Sequence, residues 1–271
     1  MGITGIDDDK CIVCGSCLTV CNLFSRSEEN KDKIIFKVPK SPLDCNLCGQ
    51  CIAVCPEDAI LYEDIGEAET FKGVDHPEEI AAYDTVYNIM RANRSVRSYK
   101  KDKVPLELLK KVFKAMEMAP TGGNMRLEKF YLISNQEKLS AFSEAVIEEI
   151  LKDPMMSERY GKVLPLMRKR WSIPVFLDAP HVIYVTSPMR FSSIDNNIGI
   201  IITYGRLAAQ ALGLGTSWNG LSQAAIRMNP ELMKMVGLRG KTVGAFVIGY
   251  PNITFHRAPP RSSKTVKGLE D

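Results

Sequence analysis

The chain has 271 residues, 45% hydrophobic and 25% charged, the profile of an ordinary folded protein with room for two domains. No apolar run is long enough to cross a bilayer, and Met1–Lys10 lacks the apolar core and cleavage site of an export signal, so no membrane association and a cytoplasmic location are expected. The net charge of +3 is unevenly spread: residues 1–65 carry 6 Lys/Arg against 11 Asp/Glu, net −5, which leaves +8 for the rest. That asymmetry favours contact between the halves or with a basic partner, while the scattered basic residues argue against nucleic acid.

All eight cysteines fall in two runs, Cys11, Cys14, Cys17, Cys21 and Cys45, Cys48, Cys51, Cys55, the second followed by Pro56. Both read C-x2-C-x2-C-x3-C, a spacing that resembles the bacterial-type ferredoxins holding two 4Fe–4S clusters. A loop with a cysteine at every third residue wraps three corners of a cubane. The fourth cysteine, expected at the start of a helix, points to the other cluster. The ligand sets implied are Cys11, Cys14, Cys17 and Cys55 for one cluster, and Cys45, Cys48, Cys51 and Cys21 for the other. Gly15 and Gly49 hold the same place in each run, where the backbone must pass close to a sulfide. Asn22 stands where the pattern usually has proline. Zinc normally takes C-x2-C pairs separated by a longer gap, and a disulfide framework needs an oxidising compartment, so both fit less well.

Between the runs, Lys33–Val38 alternates like a strand ended by Pro39 and Pro42, and Asp58–Tyr62 is its return strand. The expected division is a ferredoxin domain at 1–62, an acidic connector at 63–79 and a second domain at 80–271. Pro77 opens a helix to about Ala92. Pro105–Met118 has amphipathic helical spacing, Lys129–Ser134 is a strand, and Gln136–Lys152 is a helix. Ser157–Trp171 is helical with a kink at Pro165. His181–Thr186 is a strand, Asp195–Leu212 a helix buried on most sides, Pro230–Val236 a short helix and Val243–Gly249 a buried strand. The whole reads as α+β, one sheet covered by helices behind a small ferredoxin-like domain.

Four segments of the second domain carry a joint resemblance: Asn93–Tyr99 (NRSVRSY), Ala119–Asn124 (APTGGN), Gly213–Gly220 (GLGTSWNG), and Phe246–Pro251 (FVIGYP) followed by His256–Pro260 (HRAPP). Their order and separation over about Tyr83–Arg261 resemble the FMN-dependent nitroreductase family, so the chain looks like a ferredoxin–nitroreductase fusion. The resemblance implies an intertwined homodimer with FMN at the subunit interface. Arg94, Ser95 and Arg97 would meet its phosphate, with Arg257 closing the site, and Asn93 replaces an arginine of the family pattern. Pro120, Thr121 and Asn124 would run over one face of the isoalloxazine ring. Arg126, where the family often has Gln, would either stabilise an anionic reduced ring or face an acidic substrate. Thr216, Ser217, Trp218, Asn219 and Gly220 would supply donors near flavin N5 and O4. Arg forks with hydroxyl and backbone donors are also what a phosphate requires on physical grounds alone.

Other signals are weak. Gly213-x-Gly215 lacks the third glycine and the preceding strand of a dinucleotide fingerprint. His181 reads as a packed residue, His76 and His256 are isolated, and no catalytic proton donor is identified. The expected function is relay of single electrons from an external low-potential donor, ferredoxin-like or NAD(P)H, through two clusters to FMN. The flavin would then reduce a small organic acceptor such as a nitroaromatic, quinone or enone by two electrons. The alternatives are a reductive dehalogenase-like reaction on the same scaffold, and a non-catalytic electron carrier or redox sensor.

Overall fold

The computed structural model describes residues 2–41 and 44–268; Pro42, expected to help end a strand, lies outside them. Packing divides the chain into one unit of Met1–Ile80 with Thr121–Arg126, and a second of Ala81–Pro120 with Leu127–Asp271. Residues 63–79, expected as a separate connector, group with the first unit.

The first unit is built from the internal repeat. Its elements are β1 (Gly2–Ile6), α1 (Ser16–Val20), β2 (Phe24–Arg26), β3 (Ile34–Phe36), α2 (Gln50–Ala53), β4 (Ile60–Glu63) and α3 (Pro77–Ile80). β1 pairs antiparallel with β4, Ile6 opposite Ile60, and β2 with β3, Phe24 opposite Phe36. Each cysteine run is a loop followed by one short helix. Gly15 and Gly49 sit just before these helices at φ 80° and 71°, a left-handed conformation that glycine adopts without strain. That conformation is a second reason for glycine there. Val13 and Leu47, each directly before the second cysteine of its run, also have positive φ, 59° and 55°. One expectation is corrected: the fourth cysteine does not begin a helix. Cys21 is the extended residue ending α1, and Cys55 follows Val54, which ends α2. The short helix carries the third cysteine and delivers the fourth from its C-terminal end.

The second unit begins with α4 (Tyr83–Ala92), α5 (Leu106–Glu117), β5 (Lys129–Ile133), α6 (Gln136–Lys152), α7 (Pro154–Tyr160) and α8 (Leu164–Arg170). β6 (His181–Ser187), α9 (Ser192–Ala211), β7 (Gly215–Trp218), α10 (Gly220–Met228), α11 (Leu232–Met235) and β8 (Thr242–Gly249) complete it. The sheet order is β5-β6-β8-β7, every neighbour antiparallel. β6 and β8 are buried along their whole length, and the strand period sorts their side chains to two cores. Val182, Tyr184, Ala245 and Val247 face α6 and α10 with Phe142 and Phe176. Ile183, Val185, Phe246 and Ile248 face α5 and α9 with Val112, Met116 and Ile202. The result is a sheet between two helical layers. A Cβ on Gly244 would lie 2.3 Å from Ile198 Cγ2, so glycine is what lets α9 press onto β8.

Several expectations are revised. The helix from Pro77 is interrupted because Ala82 takes an extended backbone at ψ 146° and starts α4 afresh. Ser157–Trp171 is two helices, not one kinked one. Asp153 caps α7 by accepting from Met156 N at 2.9 Å, and Pro165 lies in the first turn of α8, where its missing N–H costs nothing. Gly215–Trp218, to which the sequence pattern assigns no element, is an edge strand. α9 is not buried on most sides: Asn196, Ile200, Thr203 and Tyr204 form an open face. No helix among the described residues is long and apolar enough to cross a membrane.

Candidate functional site

The first unit places its eight thiols around two cavities. Cys11, Cys14, Cys17 and Cys55 line one, walled by Ile6, Ile34 and Ile60. Cys21, Cys45, Cys48 and Cys51 line the other. Each cavity thus takes three cysteines from one run and the fourth from the other, the division the spacing implies. Among the described residues no three His, Cys, Asp or Glu side chains converge as one metal ion requires.

The thiols are not equivalent. Ala59 N donates to Cys55 Sγ at 3.3 Å, the kind of bond that stabilises a thiolate and tunes a cluster. Ser16 Oγ lies 3.4 Å from Cys14 Sγ and is the main cause that holds the Cys14 thiol below its usual range. Burial pushes Cys17 up, and it pushes the buried Cys51 up to about 11, with Cys21 nearby adding to the effect. Metal must displace those protons, so cluster binding is coupled to proton release.

In the second unit, two of the predicted flavin segments meet at the edge of the sheet. Ser95 bridges Thr216 in parallel, and Val96 N donates to Thr216 O at 2.9 Å, so the 93–97 segment runs along β7. Asn93 anchors it: its amide donates to Gln210 Oε1 at 2.8 Å, while Gln210 Nε2 donates to Ile89 O at 2.9 Å. Arg94 folds back onto the carbonyls of Asn93 and Arg91. Arg97 is exposed, and its carbonyl accepts from Trp171 Nε1 at 3.2 Å. Tyr99, flanked by Arg206 and Arg97, donates to Val96 O at 2.7 Å; burial raises its pKa strongly, so the phenol stays neutral.

The third segment divides by role. Thr216 and Ser217 are buried in β7. Asn219 is committed to structure, accepting from Ser222 N at 3.0 Å to cap α10 and donating to Val175 O at 2.5 Å, and Gly220 begins that helix. Trp218 is partly exposed, its Nε1 donating to Gln223 Oε1 at 3.0 Å. Arg257 lies in an exposed tail with no regular structure.

The remaining predicted residues lie in the 121–126 loop. Thr121 accepts from Arg126 N at 3.1 Å, which closes the loop on itself, and Asn124 and Arg126 have left-handed backbones at φ 53° and 46°. Asn124 Nδ2 donates to Asn46 O at 3.0 Å and Leu47 O at 2.8 Å, between the first two cysteines of the second run. Pro120, at the edge of this loop, is exposed. His181 is a packed residue: its Nε2 accepts from Val104 N at 3.0 Å, so Nδ1 carries the proton and donates to Ser134 Oγ at 2.6 Å.

A nitroreductase family model matches residues 90–250, and a 4Fe–4S dicluster domain matches residues 5–59. The chain belongs to the nitroreductase family, with a dicluster ferredoxin domain ahead of the family domain. Among curated relatives, an iodotyrosine deiodinase of Thermotoga neapolitana is 29% identical over 133 residues, covering 48% of this chain and 71% of that protein. An NADPH-Fe(3+) oxidoreductase alpha subunit of Geobacter sulfurreducens is 33% identical over 61 residues, 20% of this chain and 7% of that one. A nitroreductase with bound FMN from Bacteroides fragilis superposes with TM-score 0.54 at 22% identity, over 69% of this chain and 97% of that one.

Proposed function

We propose that this protein is a flavin-dependent oxidoreductase. In it, two 4Fe–4S clusters relay single electrons to FMN for two-electron reduction of a small organic acceptor, a nitroaromatic, quinone or enone. The observation that carries this reading is the coexistence on one chain of two four-thiol cavities and a nitroreductase fold with a cationic corner at its sheet edge. Bound clusters supply one-electron steps, and bound FMN takes electrons singly and gives them in pairs.

The chain's own residues fit these groups. Cys11, Cys14, Cys17 and Cys55 would hold one cluster, and Cys45, Cys48, Cys51 and Cys21 the other. At the sheet edge, Ser95 with Arg94 and Arg97 provides a hydroxyl and guanidiniums for a phosphate, and Arg257 adds to them from the tail. Thr216, Ser217 and Trp218 would line the approach to the ring, and Asn93, Asn219 and Gly220 hold the backbone of the second unit's segments in place.

A homodimer is part of the proposal. α4 exposes Tyr83, Val86, Tyr87 and Met90, and α9 exposes Ile200 and Tyr204, an apolar surface suited to a second copy. The electron donor is a reduced ferredoxin or NAD(P)H, in the cytoplasm. A second reading, reductive dehalogenation, draws its support from the likeness to the Thermotoga deiodinase.

Two measurements test the proposal. Under anaerobic turnover with reduced ferredoxin or NAD(P)H, nitroaromatic, quinone and iodophenol acceptors are offered in parallel. Fastest loss of iodide would replace the first reading by the second, and no turnover of any acceptor would leave only a carrier. Arg97→Ala should lower flavin retention about tenfold, the scale of one charge-assisted phosphate contact; full flavin content would remove Arg97 from the site.

A further inference from the structure

The N-terminal arginines of the 93–97 segment are the visible cations of the flavin corner, but a third lies deeper. Arg206 sits on α9, a helix whose buried residues are apolar apart from Asn197. Its Nε donates to Thr216 Oγ1 at 3.2 Å, beside the bridge that joins Thr216 to Ser95. The side chain is half-buried, and among the described residues no carboxylate pairs with it. Among the described residues the acidic group near it is Tyr99, whose phenol is neutral and already donates to Val96 O.

A guanidinium stays protonated in proteins, and one that is partly withdrawn from water without a counter-charge is costly. Stable folds keep such groups where an anion meets them. The surroundings specify the anion. Thr216 holds Nε, and among the described residues no partner takes the terminal N–H fork. The Ser95 hydroxyl and exposed Arg97 stand on the neighbouring backbone. A fork, a hydroxyl and a second guanidinium suit the tetrahedral oxygens of a phosphate monoester better than a planar carboxylate.

We infer that Arg206 is the half-buried anchor of a phosphate-monoester site, held by Thr216 and serving the phosphate of the flavin. This rests on the reading of the second unit as a flavin domain. Gln210, one turn further along α9, supports the placement by fixing Asn93 and hence the start of the phosphate segment. Arg206 binds rather than reacts, so its contribution is to affinity for the phosphorylated coenzyme.

The test compares FMN with riboflavin, which lacks only the phosphate. The full-length chain, clusters retained and flavin stripped anaerobically, is titrated with each, and binding is read from quenching of flavin fluorescence. Arg206→Met should weaken FMN binding about thirtyfold, the scale of a lost charged hydrogen-bond pair, and change riboflavin binding less than about twofold. Arg206→Lys should keep part of the preference, since a point charge replaces the fork. Inorganic phosphate should compete with FMN in the wild type and no longer in Arg206→Met. An unchanged FMN-to-riboflavin ratio in both variants would overturn the assignment, as would a change in dimerisation alone, which would mean that a partner's acid neutralises Arg206. Wild-type protein that binds neither flavin would overturn the flavin reading itself, and the assignment with it.

Discussion

The two units solve the problem of stability in different ways. The second has two apolar cores, one on each face of a sheet whose central strands are buried from end to end. The first has a handful of buried apolar residues, chiefly Ile3, Leu23, Phe24, Ile34 and Ile60, with its cysteines packed among them. Its strands are only 3 to 5 residues long and its two cysteine-run helices 4 and 5. A unit with so little core needs cross-links, and here the thiols that carry the chemistry also supply them. Chemistry and stability therefore share the same atoms in the first unit and are separated in the second.

The sharpest way to break this comparison is to remove the iron. Chelation, or Cys14→Ser with Cys48→Ser, should abolish the cooperative transition of the first unit and leave that of the second in place; calorimetry that shows both lost together would refute the contrast. The reciprocal change is Phe246→Ala, at a fully buried site. It should cost the second unit about 3–5 kcal/mol while both clusters keep their spectra.

A smaller effect comes from His181. Burial, helped by the Lys103 charge, holds its pKa below the usual 6.5, and the neutral ring accepts from Val104 N. Below 6.5 the unfolded chain takes up a proton that the folded ring resists. Its stabilising contribution is therefore complete above that pH and lost as pH falls through the lower folded-state value. Melting followed between about pH 7.5 and about pH 5 should show this loss in the second unit, and His181→Gln should flatten it. Smallest is Asn124→Ala, which removes two donors from the carbonyls between Cys45 and Cys48. The electron paramagnetic resonance of the second cluster should shift while that of the first stays fixed, and equal shifts in both would show that the amide has no local role.

What was legible in the sequence follows the same division. The cysteine spacing marked the residues that line the two cavities because ligand spacing is local and repetitive. The continuous apolar runs of β6 and β8, and the helical period of α5, were equally plain. β7 was missed because Gly215-Thr216-Ser217-Trp218 has no pattern of its own and becomes a strand only by pairing with β8. α10 carried a readable signal, Asn219 as its cap, which was assigned to the flavin instead. The open face of α9 was hidden because Ile200 and Tyr204 are apolar yet exposed. Arg206 escaped notice as a single cation in an apolar helix, since only the fold brings it to Thr216.

The measurement closest to the central claim is an anaerobic reductive titration of the full chain with a one-electron donor, following flavin absorbance and cluster resonance together. The account predicts uptake of about four electrons, one per cluster and two for the flavin, with flavin bleaching that collapses when all eight cysteines are replaced by serine. Flavin that bleaches equally fast from the same donor without the clusters would contradict it.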